Sequence, residues 1–148
     1  MKTARVWLLR MLSPALLIIL LFFLLLPRPV VRDIRAVKTV EVVYQGEALE
    51  LNETEREQLL AVLATARCRP SHLELKKQHP AQTIHLTVTA DASPPAGRVE
   101  LDLGDRPRCV YPQSRWPSYH VNRPEQLLEA MEPICQAARN RAAPERGG

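Results

Sequence analysis

The segment from Met11 to Leu26 constrains this chain more than any other, because its 16 residues are uncharged and almost all apolar. A helix rises about 1.5 Å per residue, so a bilayer core about 30 Å thick requires roughly 20 residues. Val6 to Leu26 supplies that length if the charged end of Arg10 extends to the interface. The sequence therefore predicts an α+β protein that begins with a single transmembrane helix, a signal-anchor over residues 6–26, which makes the membrane its first partner.

Two alternatives to this anchor remain open. A cleaved signal peptide has a basic start, which Lys2, Arg5 and Arg10 provide, but it also requires small residues at a cleavage site. The sequence PRPVVRD after Leu26 lacks such a site. A buried core helix would show a polar stripe, and residues 15–26 contain no polar break.

The positive charges on the two sides of the anchor are nearly equal in number, since three Lys or Arg residues precede it and four follow it within a short distance. Charge therefore barely distinguishes its two orientations. We expect a cytoplasmic tail at residues 1–5 and an extracytoplasmic C-terminal domain, with secretion after cleavage or the reversed orientation as alternatives. A basic, proline-containing linker is predicted at residues 27–36, the folded domain at 37–138, and a disordered tail at 139–148.

The formal charge of +4 does not describe the predicted domain. Three of the 20 basic residues precede the apolar segment and all 16 acidic residues follow it, which leaves 17 basic and 16 acidic residues. Nucleic-acid binders carry a clear basic excess on one face. The composition therefore excludes nucleic acid as an expected partner.

Four segments show the alternation of a β-strand with one buried face. The clearest is Thr83 to Thr89, in which Ile84, Leu86 and Val88 alternate with polar residues. The predicted strands are residues 37–44, 83–89, 99–103 and 108–111, with a brief return of 48–51 onto the first. The expected fold is about four antiparallel strands with two helices packed on one face, in the order β-α-β-β-β-α.

Each predicted helix begins with an Asn three residues before a Glu, the pattern of a capping box. The pairs are Asn52 with Glu55 and Asn122 with Glu125. Pro133 is expected to kink or end the second helix, because proline lacks the N–H that an interior position donates.

The segment from residue 106 to residue 120 is the best candidate for a binding surface, since arginine and aromatic residues carry much of the energy of interfaces. We therefore predict a non-catalytic accessory or binding module, with a protein or small-ligand partner at this surface. The candidate binding residues are Arg106, Arg108, Arg115, Trp116, Tyr119 and His120.

The alternative is a small thiol- or His-dependent enzyme that uses Cys109 or His85. As a general base, His85 would need an orienting carboxylate, and Asp102 or Glu100 on the neighbouring strand could serve. The histidines show no metal-ligand spacing, so no metal and no cofactor are predicted. A disulfide is possible among Cys68, Cys109 and Cys135, in any of three pairings.

Overall fold

The computed structural model describes residues 14–23, 26–70, 84–91, 97–104, 107–113 and 118–143. Within these ranges the chain forms three α-helices, one short 3-10 helix (Ile34–Ala36) and eight strands. Helix α1 covers residues 14–23, α2 is Glu53–Thr65 and α3 is Pro124–Ala142. The strands are β1 (Arg28–Pro29), β2 (Val37–Tyr44), β3 (Glu47–Leu49), β4 (Arg67–Pro70), β5 (Ile84–Ala90), β6 (Arg98–Leu103), β7 (Arg108–Val110) and β8 (Ser118–Val121).

The eight described strands form one antiparallel sheet in the order β1-β4-β8-β7-β6-β5-β2-β3. The α+β class agrees with the prediction, but the expectation of about four strands in the order β-α-β-β-β-α is wrong. The sheet is wider because β4 and β8 pair with each other and β8 also pairs with β7. Both strands are only four residues long, so neither shows a long alternating pattern.

One face of the sheet carries the core. The alternating residues of β5 and β6 that were predicted to be buried, such as Leu86 and Leu101, have none of their surface exposed. Apolar residues of α2 and α3, including Leu63 and Met131, pack against this face in the same cluster. Both helices therefore lie on one side of the sheet, and among the described elements neither covers the other side.

The capping box predicted for α2 is present. The Asn52 side chain accepts a hydrogen bond from the Glu55 N–H at 2.8 Å, and the Glu55 carboxylate accepts one from the Asn52 N–H at 2.8 Å. The same carboxylate accepts a charge-assisted hydrogen bond at 2.8 Å from Arg141 at the end of α3. Glu55, which is 8% exposed, therefore joins the start of one helix to the end of the other.

We expect Glu55→Gln to lower the free energy of unfolding at pH 7 by about 1–2 kcal/mol, because Gln loses the charge that Arg141 and the Asn52 N–H stabilise. The hydrogen bond from Arg141 is the main cause that lowers the pKa of Glu55. A lowered folded pKa contributes stability above the unfolded value of about 4.3, and this is lost as the pH falls through the folded pKa. Urea unfolding of both proteins across this range measures the difference.

The control for this prediction is Glu57→Gln, because Glu57 lies on the same helix and is exposed. Glu57→Gln should leave the urea midpoint unchanged at pH 7 and throughout the acid range. A gap between wild type and Glu55→Gln that stays constant down to low pH would contradict the expected contribution of the Glu55 charge.

Helix α3 differs from its prediction at its start and middle. Its N-cap is Arg123, with φ of 49°, rather than Asn122, and no side chain caps it. Pro133 lies inside the helix without ending it, since Ile134, Cys135 and Ala138 beyond it are buried. Packing of this face therefore outweighs the missing hydrogen bond at Pro133. Residues 139–142, assigned to the tail, are helical, while 144–148 lie outside the described residues.

The predicted transmembrane helix over residues 6–26 is corrected by the structure. In the part of the chain that is described, no helix is long and apolar enough to cross a membrane. Helix α1 has ten described residues, which rise about 15 Å, half of the roughly 30 Å required. The signal-anchor, the single-pass membrane localisation and the orientation derived from it are therefore wrong. Residues 1–13, 24 and 25 lie outside the described residues.

The segment predicted as a linker, residues 27–36, is integrated into the domain. Within it, β1 pairs with β4 at the edge of the sheet. Val30 and Val31 are 1% and 6% exposed and belong to the core. The core therefore begins before the first predicted strand.

Candidate functional site

Polar residues of five adjacent strands line up on the face of the sheet opposite the helices. In an antiparallel pair, directly opposed residues point to the same face. The register opposes His85 to Asp102, Asp102 to Arg108, Arg108 to His120, and His120 to Arg69. We call these five residues the polar row: His85, Asp102, Arg108, His120 and Arg69.

The centre of the polar row is a buried carboxylate held from both sides. Asp102 is 4% exposed. One of its oxygens, Oδ1, pairs with Nδ1 of His85, and the other, Oδ2, accepts a hydrogen bond from Nε of Arg108 at 3.0 Å. The structure therefore selects Asp102, rather than Glu100, as the carboxylate that orients His85.

The second ring nitrogen of His85 faces Thr87 on the same strand. The Thr87 hydroxyl lies 3.5 Å from Nε2, farther than the roughly 2.6–3.2 Å that joins a nucleophile to its base. Thr87 is itself buried. The arrangement fixes the imidazole without bringing this hydroxyl into attacking range, and use of His85 by an enzyme stays a prediction.

The predicted binding segment divides between the two faces of the sheet. Arg108 and His120 lie in the polar row, whereas Tyr119 points into the core, 9% exposed, and its ring packs edge-on against Tyr111 with centroids 5.1 Å apart. Three further predicted residues lie outside the described ranges: Arg106, Arg115 and Trp116.

Comparison of the chain with models of known protein families, with curated proteins and with solved structures finds no match. The site must therefore be interpreted from its geometry alone. Among the described residues, no three His, Cys, Asp or Glu side chains are placed to hold a metal ion.

All three cysteines are free and buried. The Cys68 sulfur lies 3.6 Å from the Tyr111 hydroxyl, which donates to the Val30 carbonyl at 2.7 Å. Cys135 lies on α3. The disulfide stays a prediction. Cys68 lies on β4 and Cys109 on β7, and β8 separates these two strands in the sheet.

The pKa values of the paired thiols move in opposite directions. The hydrogen bond from Cys109 lowers the pKa of Cys68 to about 7. The same hydrogen bond, followed by burial, raises the pKa of Cys109, and burial raises that of Cys135 to about 11. Because the thiolate is the nucleophile, Cys109 is poorly suited to act as one.

Two members of the site were missed from the sequence. Arg69 lies on β4, which is not among the predicted strands, although Arg67, Cys68 and Arg69 alternate between exposed and buried positions as a short strand does. The alternation along its strand predicts Thr87 on the same face as His85. No sequence pattern predicts that the two side chains approach each other. Arg69 lies opposite His120 because β4 pairs with β8.

Proposed function

We propose that this domain is a non-catalytic binding module that recognises an acidic segment of a partner through the open face of its sheet. The observation that supports the proposal is the register of Arg108, His120 and Arg69 on three neighbouring strands. Adjacent strands lie about 4.8 Å apart, so these basic side chains follow one another over about 10 Å.

The polar row keeps a net positive charge, because its two arginines outnumber its one carboxylate, that of Asp102. Asp102 is buried and its two oxygens are engaged by His85 and Arg108. Arg108 uses only Nε for this contact, and within the described ranges its two Nη groups form no other hydrogen bond, so both can bind a partner carboxylate. A guanidinium binds carboxylates in two parallel hydrogen bonds, which suits it to Glu and Asp side chains.

The test measures fluorescence anisotropy of a labelled decapeptide of alternating Glu and Ser with the full chain. We expect His120→Glu to weaken binding at least fivefold, because it places a negative charge in the centre of the basic residues. Binding of the wild-type chain should also weaken as salt is added.

The matched control is Thr39→Glu, which adds the same charge to the same face. Thr39 is exposed on β2, which is four strands away from β8 in the sheet. Its affinity should stay within twofold of wild type. Equal losses in the two variants, no loss in His120→Glu, or no binding of the peptide to the wild-type chain would overturn the proposal.

A further inference from the structure

A groove of about 680 Å³ lies between α2 and α3, beside β4. This volume falls within the roughly 300–1,000 Å³ of small-molecule sites. The two helices contribute apolar side chains to its walls, and Pro27 also lines it. These apolar lining residues are Pro27, Ala61, Val62, Ala66, Leu127 and Ala130.

Three arginines line the groove and no acidic residue does. Arg67 and Arg69 come from β4, and Arg123 connects β8 to α3. The described domain contains nearly equal numbers of acidic and basic residues, so this separation of charge is local. Three positive charges in one concavity with apolar walls favour a negatively charged occupant.

Arg67 is held in place by the end of α2. Its Nη1 donates to the carbonyl oxygens of Ala64 and Ala66 at 2.9 and 3.1 Å. A guanidinium has five N–H donors, so the donors on Nε and Nη2 remain, and none of them has a partner in the described part of the chain. The head of Arg67 is therefore positioned before a ligand arrives.

Arg69 and Arg123 are both exposed. Neither forms an ion pair or a side-chain hydrogen bond within the described ranges. Together with Arg67 they bring guanidinium groups from two separate parts of the fold to one groove. Guanidinium groups match the geometry of carboxylate and phosphate oxygens.

We propose that this groove binds a small organic anion, whose oxyanion group contacts the three arginines and whose apolar body lies against Val62 and Leu127. The groove adjoins the open face of the sheet at β4, but the proposal does not depend on the proposed peptide binding. Arg69 is the one residue that belongs to both, so the test uses Arg67 and Arg123.

The test measures binding of 1-naphthyl phosphate to the full chain by titration calorimetry. Two further probes separate the contributions of charge and apolar surface: 1-naphthol carries the same rings without the charge, and inorganic phosphate carries the charge without the rings. We expect both to bind at least tenfold more weakly than 1-naphthyl phosphate.

The first variant is Arg67→Gln with Arg123→Gln, which should weaken binding of 1-naphthyl phosphate at least tenfold. The matched control is Arg35→Gln with Arg98→Gln, which removes the same charge from positions that do not line the groove. It should change the affinity less than twofold. Urea unfolding of each variant establishes that it is folded.

A second variant keeps the charges and removes the space. Ala130 is exposed on α3, and Ala130→Trp should fill the groove and weaken binding of 1-naphthyl phosphate at least tenfold.

Both groove variants should bind the acidic decapeptide as wild type does, whereas His120→Glu should bind 1-naphthyl phosphate as wild type does. Equal binding of 1-naphthol, equal losses in the control, unchanged affinity in either groove variant, or no binding to the wild-type chain would overturn the proposal.

Discussion

Replacing Leu101 by Ala is expected to lower the free energy of unfolding by about 3–4 kcal/mol, the largest effect that we predict for a single substitution. Leu101 has none of its surface exposed and lies directly between Leu86 and Cys109 on the neighbouring strands. Removal of three carbon atoms there leaves a cavity that the surrounding strands cannot close, so packing is lost in addition to burial. Urea unfolding at pH 7 measures the change.

The control is Leu128→Ala, the same chemical change on α3 at a partly buried position. It should cost less than about 1.5 kcal/mol, because less surface returns to water and Ala is the better helix former. If both variants lose the same stability, the core is not centred on β6. Unchanged slopes of free energy against urea would show that the two unfolded states are comparable.

The parts of the fold that the sequence predicts are those whose signals are local. Alternation along β5 and β6 correctly identifies the buried face, and their consecutive position predicts either Asp102 or Glu100 beside His85, of which the structure shows Asp102. The capping box of α2 was likewise complete within four residues, from Asn52 to Glu55. Each of these features depends on neighbours in the chain or on a hairpin, where the register follows the turn.

The parts that the sequence does not predict depend on contacts between distant segments. Strand β4 follows α2 directly, yet it pairs with β8, about fifty residues later by the printed numbering. No local pattern shows that Arg69 will lie opposite His120. The groove has the same origin, since Arg67 and Arg123 come to line it only when the two helices and β4 have packed.

The transmembrane prediction failed for a different reason. Hydropathy counts apolar residues along the chain, whereas a span also requires one continuous helix of sufficient length. The described part of helix α1 covers residues 14–23 of the predicted segment, and Pro27 and Val30 beyond it belong to the domain. The apolar count alone could not show that the domain begins as early as Pro27.

Replacing Asp102 by Ala is expected to cost about 2–3 kcal/mol, because it leaves His85 and Arg108 without the carboxylate that both contact. The side chain of Asp102 is 6% exposed, while those of His85 and Arg108 are 24% and 34% exposed. Water can therefore partly solvate His85 and Arg108 once the carboxylate is gone. The loss in free energy of unfolding is then smaller than for a fully buried pair. Urea unfolding of the full chain at pH 7 measures the change.

The matched comparison is Asp91→Ala, which breaks an ion pair with Lys38 at 3.2 Å in which the two side chains are 76% and 61% exposed. Exposed pairs contribute little, so this variant should lose less than about 0.5 kcal/mol. Adding salt should reduce the small effect of Asp91 further and leave most of the effect of Asp102, since buried charges are poorly screened. Equal losses in the two variants, or a loss at Asp102 that salt removes, would contradict the assignment of Asp102 as the buried centre of the polar row.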